Sequence, residues 1–137
     1  MSYFVGKIRA YLADADGTPI DETNPLPITD IGSPLTNTWT QLTAPGNTAS
    51  FACTGRKNHT IAVTVANINT NVVVRVEGSL DGSIWGNLDY AGTDTTITSN
   101  GTSMLTAELI PLAYIRFVFV SESGGTTATI DAAYMGF

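Results

Sequence analysis

One cysteine and one histidine in 137 residues set the first limits on this chain. Cys53 has no partner for an internal disulfide, and with His59 it cannot build a Cys/His metal cage or a Cys-rich secreted scaffold. No metal and no cofactor are therefore expected, and stability is left to packing. Charge is scarce as well, at 13% of residues against 43% apolar, which excludes the route to disorder through low hydrophobicity and high charge. No apolar run approaches the roughly 18 residues that cross a bilayer, and Met1–Ala10 lacks the sustained apolar stretch of a signal peptide. A soluble, unprocessed chain with no membrane partner is expected. Basic residues are the scarcer sign, six against twelve acidic for a net charge of −6. That is the wrong balance for neutralising phosphates, so no nucleic-acid partner is expected.

What is present is period-two alternation along nearly the whole length. Ile61, Val63 and Val65 share one face of a strand while Thr60, Ala62, Thr64 and Ala66 share the other. After the turn-like Asn67–Asn71, the set Val72, Val74, Val76 and Leu80 is expected to face inward, opposite Val73, Arg75, Glu77 and Ser79. Arg75 and Glu77 then read as an ion pair on a solvated face. Further strands are predicted at Phe4–Leu12, Thr38–Leu42, Ala49–Cys53, Trp85–Tyr90, Thr95–Ser99, Ser103–Leu109, Tyr114–Ser121 and Thr126–Met135. Asp81-Gly82 and Asn100-Gly101 suit tight hairpins, Ser123-Gly124-Gly125 separates the last two strands, and meander neighbours are expected. Threonine is the commonest residue, and its β-branch favours half-exposed sheet positions. So many short strands cannot hide their apolar faces in one open sheet. The expected fold is all-β, an antiparallel β-sandwich, jelly-roll-like, of about eight to ten strands with an extended N-terminal arm.

Residues 1–35 are expected to hold an N-terminal strand and that arm, and residues 36–137 the sandwich. Within the arm, Pro19, Pro25, Pro27 and Pro34 break the alternation, since proline cannot donate to a central ladder. Asp14, Asp16, Asp21, Glu22 and Asp30 fall in the same stretch with no Lys or Arg among them, so it is solvated or faces something basic. Fully extended, Asp14–Leu35 reaches on the order of 70 Å, and Asn24-Pro25-Leu26-Pro27-Ile28 is stiffened toward polyproline geometry. Two readings stay open: a long loop on its own domain, or a segment that touches a neighbour.

A chemistry is hard to find. His59 stands in Gly55-Arg56-Lys57-Asn58-His59-Thr60 with no nucleophile-elbow motif in the chain. Cys53 follows Ala49 and Phe51 on the apolar parity of its strand and reads as a small buried hydrophobe. Asp14-Ala15-Asp16-Gly17-Thr18 lacks the later ligands of a calcium loop and reads as a turn. Asn58-His59-Thr60 and Asn100-Gly101-Thr102 match the glycosylation triplet, a short pattern expected by chance in an Asn/Thr-rich chain. No catalytic residue is nominated and an enzyme is not expected.

The aromatic residues point to partners. Trp39 and Trp85 each suit a core anchor, an interface anchor or a stacking platform for sugar. In Tyr114–Ser121, Tyr114, Val118 and Val120 oppose Ile115, Phe117 and Phe119, so both faces are apolar apart from Arg116. A sandwich strand meets its core with one face only. The other face is expected to be covered by the arm or another subunit, as is the terminal Phe137.

The run Val74-Arg75-Val76-Glu77-Gly78-Ser79-Leu80-Asp81-Gly82-Ser83-Ile84-Trp85, then Leu88 and Tyr114-Ile115-Arg116-Phe117, resembles the repertoire of small β-sandwich virion proteins of tailed bacteriophages. Asn24-Pro25-Leu26-Pro27-Ile28-Thr29 resembles the segment preceding such domains. The resemblance implies a non-enzymatic capsid decoration or cement protein, or a component of neck, tail or fibre. It would be made in the host cytoplasm and carried on the virion capsid surface, as a homo-oligomer whose partners are the major capsid protein or other virion proteins. The subunit or capsid interface is then expected at Asn24, Pro25, Leu26, Pro27, Ile28, Phe117, Phe119 and Phe137. The same run is also similar to discoidin-type carbohydrate-binding sandwiches, with Trp85 as a glycan or interface anchor. Those modules usually carry a closing disulfide, which Cys53 alone cannot form.

Overall fold

The computed structural model describes residues 33–88 and 92–137. The predicted strand Phe4–Leu12 and the arm, with Asn24, Pro25, Leu26, Pro27 and Ile28, lie outside the described residues. Ten strands follow: β1 (Leu35–Leu42), β2 (Gly46–Asn47), β3 (Phe51–Ala52), β4 (His59–Ala66), β5 (Asn71–Ser79), β6 (Gly86–Asn87), β7 (Thr95–Ile97), β8 (Gly101–Ala107), β9 (Tyr114–Ser123) and β10 (Thr129–Gly136). They form two antiparallel sheets, as the alternation required. One has the order β1-β10-β4-β8. In the other, β9 and β5 are central; β2 and β3 follow one another along β9, while β6 and β7 follow one another along β5. With each short pair counted as one interrupted strand, the chain visits eight positions, changing sheets at every step except the β5–β6 hairpin, in the double Greek key of a jelly roll.

That topology corrects the expected meander. Asn100-Gly101 joins β7 to β8 and Ser123–Gly125 separates β9 from β10, yet in both cases the two strands belong to different sheets. These turns are arches across the core. Their glycines keep positive φ, 138° at Gly101 and 89° at Gly124, because an arch needs backbone conformations that a side chain disfavours. Asp81-Gly82 does close a hairpin, β5 to β6, through a longer loop than a two-residue turn.

The core is built from one face of each long strand. Ile61, Val63 and Val65 of β4 are buried as predicted, and Val72 and Val74 of β5, Ile115, Phe117 and Phe119 of β9, and Ile130, Ala132 and Tyr134 of β10 meet them. Trp39 takes the core role: its ring stacks on Phe117 with centroids 6.5 Å apart, and its Nε1–H donates to Ala49 O at 3.0 Å. Phe117 and Phe119, expected at a subunit or capsid interface, are 0% and 1% exposed. They fill the chain's own interior and are closed to a partner. Leu80 is corrected too, at 75% exposure, because β5 ends at Ser79 and the loop turns it outward. In β9 the pairing jumps from Val73↔Ser121 to Val74↔Phe119, leaving Val120 as a bulge. Val118, on the outer face, is nevertheless buried.

Removing the Phe117 ring should therefore unfold the protein before it weakens any contact with a partner. Phe117→Ala is expected to lower stability by about 3–5 kcal/mol, the cost of a large core truncation, as read by urea denaturation.

Candidate interaction surfaces

On the outer face of the β9–β5 sheet, antiparallel pairing sets Glu77 opposite Arg116 and Arg75 opposite Val118. Arg75 holds Asp94 bidentately, Nε to Oδ1 at 2.7 Å and Nη2 to Oδ2 at 2.9 Å, and reaches Glu77 Oε1 from Nη1 at 3.1 Å. Arg116 donates to Glu77 Oε2 from Nε at 2.8 Å, with Nη2 2.6 Å from the same oxygen. Glu77 is only 8% exposed, so the pair read as solvated is the centre of a four-residue network. The hydrogen bond to Asp94 is the main reason that the Arg75 pKa is raised. Trp85 closes the network, its ring lying 4.1 Å from the Arg116 guanidinium carbon. One ring face is thus occupied by a cation.

The loop carrying Trp85 is tied by Asp81. Asp81 Oδ1 accepts the N–H groups of Ser83 at 2.8 Å and Ile84 at 2.9 Å, while Ser79 Oγ accepts the Gly82 N–H at 2.9 Å. The backbone N–H of Ile84, then that of Ser83, hold the Asp81 carboxyl below its usual range. This loop presents Leu80 and Ile84 to solvent at 75% and 77% exposure.

Inside the sandwich, His59 Nε2 lies 2.9 Å from Ile110 O and Nδ1 lies 2.9 Å from the Tyr134 hydroxyl. A carbonyl only accepts, so Nε2 carries the proton and Nδ1 accepts from Tyr134. Burial pushes the Tyr134 hydroxyl and Cys53 thiol pKa values up, which keeps the thiol from acting as a nucleophile. His59 has both ring nitrogens committed and serves as a structural bridge between sheet and loop. Among the described residues, no three His, Cys, Asp or Glu side chains gather closely enough to hold a metal ion.

The outer face of the β1-β10-β4-β8 sheet has a different chemistry. Register sets Thr36, Met135, Thr60 and Thr106 in one row, and Thr38, Ala133, Ala62 and Met104 in the next. Asp131, Thr64 and Thr102 follow, with Asp131 the single charge in these rows. At ~4.8 Å between strands and ~3.3 Å per residue, the face covers roughly 500 Å². Uncharged Thr, Ala and Met side chains make it less expensive to desolvate than a charged face, provided the threonine hydroxyls find partners. Its signals in the sequence were the Thr-x-Thr-x-Thr run of β1 and the Thr/Ala parity of β4; only the register shows that they form one surface.

Among the interface residues expected from sequence, Phe117 and Phe119 are core, Asn24–Ile28 lie outside the described residues, and Phe137 is 49% exposed. Phe137 is fixed by backbone bonds: its N–H donates to Asn58 O, and its carbonyl accepts from Lys57 and Asn58. Trp85 clasps Arg116. The sequence missed the Glu77–Arg116 pairing because 39 positions separate the partners.

No family model matches the chain, and no curated protein matches its sequence. Among solved structures, the SPBc2 prophage-derived protein YomS is similar with a TM-score of 0.52 at 12% identity, over 77% of this chain and 96% of that one. A chain from Bacillus endospore appendages aligns with a TM-score of 0.41 at 7% identity, over 77% of this chain and 84% of that one. A chain of infectious bursal disease virus, Gx strain, gives 0.38 at 14% identity, over 75% and 33%. The first likeness shows a shared fold; the other two are too distant to argue from.

Two measurements check these surfaces. Arg116→Ala should cost about 2–3 kcal/mol, less than the ~3–5 of breaking a fully buried pair because Arg75 remains on Glu77. A double-mutant cycle with Trp85→Ala should show coupling between the two side chains. Asp81 has a lowered folded-state pKa, so its contribution is present above the unfolded-state carboxylate range and is lost as pH falls through the folded value. Asp81→Asn should flatten that acid limb in urea midpoints measured from neutral to acid pH.

Proposed function

We propose that this chain is a non-enzymatic virion structural protein of a tailed bacteriophage, a capsid decoration or cement protein. Many copies adhere to the shell built by the major capsid protein, on the outside of the virion, and stabilise it. The observation that carries this reading is the flat outer face of the β1-β10-β4-β8 sheet. A surface of threonine, alanine and methionine with one carboxylate has little chemistry to offer a substrate, and it costs less to dehydrate against another protein than a charged face, provided the threonine hydroxyls are hydrogen-bonded across the contact. Its area, roughly 500 Å², falls short of the ~800 Å² per partner typical of a stable complex. Single copies would bind weakly, and a repeating lattice would compensate through high local concentration and linked contacts.

Two further points support the proposal. Jelly rolls serve widely as viral capsid and lectin domains, and a prophage-derived protein shares the fold, although fold alone does not assign a role. In the same proposal, Asn24–Ile28 adds reach along a neighbour and the exposed Phe137 adds a contact at the end of the sandwich. The glycan reading is left with at most one face of Trp85, because Arg116 occupies the other.

The test is co-sedimentation of the purified chain with shells of the phage that encodes it, followed by thermal unfolding of the shells. Saturable binding and a raised shell melting temperature are expected. Ala133→Glu, which places a charge in the middle of the flat face, should weaken binding at least about ten-fold, or ~1.4 kcal/mol, without changing the protein's own melting. Absence of shell binding would overturn the cement role, and binding to purified tails in its place would move the protein to neck, tail or fibre.

A further inference from the structure

The edges of the two sheets are treated unequally. In the β9–β5 sheet they are broken into pieces of two or three residues, β2, β3, β6 and β7. In the other sheet, β1 is bent by a register shift between Trp39 and Leu42, with Gln41 at φ 57° and its N–H held by the Asp131 carboxylate. Short strands and bulges are the usual means of keeping an edge from pairing with another chain. The remaining edge, β8, has none of them. Gly101–Ala107 runs seven residues in unbroken register with β4, contains no charge and no proline, and pairs with nothing else among the described residues.

Beside this edge, a cleft of about 190 Å³ opens between the sheets. It is lined by Met104 to Ala107 of β8, and its walls are mixed, with polar His59 and Arg75 beside the apolar Ile61, Val76 and Leu88. Met104 itself is 61% exposed. An edge with no further pairing among the described residues and an adjoining cleft of mixed polarity are together what a strand-acceptor site requires: backbone groups for the ladder and space for alternate side chains.

We infer that β8 pairs antiparallel with β8 of a second copy, joining two four-stranded sheets into one of eight strands. A second copy fits because an antiparallel edge is self-complementary about a two-fold axis. Charge agrees. In a register centred on Met104, the two Met104 side chains meet, Thr102 faces Thr106, and Glu108 just beyond the strand faces Asn100 of the second copy. Two chains of net charge −6 thus approach without opposing like charges across the ladder. The inward-facing Leu105 of each copy lies beside the cleft. Pairing also makes the two flat outer faces continuous, roughly 1,000 Å² by the same strand spacings. The inference rests on the homo-oligomer that the resemblance to virion proteins implies and names its surface.

The experiment is sedimentation of the full chain over a concentration series, with hydrogen exchange measured in the same samples. A concentration-dependent dimer is expected, together with slowed exchange at alternate amides within Gly101–Ala107, because only every second N–H of an antiparallel edge is free to pair. Met104→Lys, the common edge guard, should weaken dimerisation at least about ten-fold, while Met104→Leu retains it. A monomer at every concentration, or a dimer whose β8 amides exchange as fast as in the monomer, would overturn the inference even if shells are bound. Dimerisation through β8 without any shell binding would uphold it and remove the cement role instead.

Discussion

Burial of one face of β9 between the sheets is the constraint on which the rest of the molecule depends. Ile115, Phe117 and Phe119 project from the middle of their sheet into the space closed by Trp39, Ile61, Ile130 and Tyr134. Aromatic rings of this size need two opposed sheets to leave water, so the neighbouring strands are recruited in pairs from both layers. The chain must then cross the core repeatedly, and the arches Asn67–Thr70, Ser99–Gly101 and Ser123–Gly125 carry the polar residues and glycines that such crossings need. With the largest apolar side chains committed inward, contact with other molecules falls to the outer faces, the edges and the loops.

The two outer faces meet water by opposite means. On the β9–β5 sheet, charges are placed near the sheet surface and neutralise one another from Asp94 through Arg75 and Glu77 to Arg116, with Trp85 over the last guanidinium. Each charge gains from its neighbours more than an isolated surface pair would. A partner laid on this network would have to match it or break it. The opposite face has one carboxylate as its only charge, so a partner has mainly threonine hydroxyls to match. The two sides of the sandwich therefore offer a partner unlike chemistry.

The interior polar cluster serves architecture. His59 joins Ile110 O to the Tyr134 hydroxyl, and a Cβ at Gly136 would collide with that hydroxyl, so the last strand needs glycine there to keep the bridge. Both ring nitrogens of His59 are committed within the protein, which leaves neither free to exchange protons with a substrate.

The strand periods were legible because alternation is a local property: the parity of Ile61, Val63 and Val65, and the turn signals at Asp81-Gly82 and Asn100-Gly101, need only near neighbours. The inward face of β9 was legible too, but its meaning was not. Phe117 and Phe119 looked like surplus apolar surface until the second sheet was seen to cover them, while Val118 is buried on the other side. Arg75 and Glu77 looked like an isolated surface pair because Arg116 lies 39 positions beyond Glu77 and comes beside it only through sheet register. Sequence by itself determined an all-β chain, its strand parities and its acidic, single-cysteine character. Tertiary structure decided which sheet each strand joins, which aromatic rings are interior, and which edge pairs no further among the described residues. Those outcomes follow from pairing between distant segments, and the energies that select such pairings arise only once the two sheets close on each other.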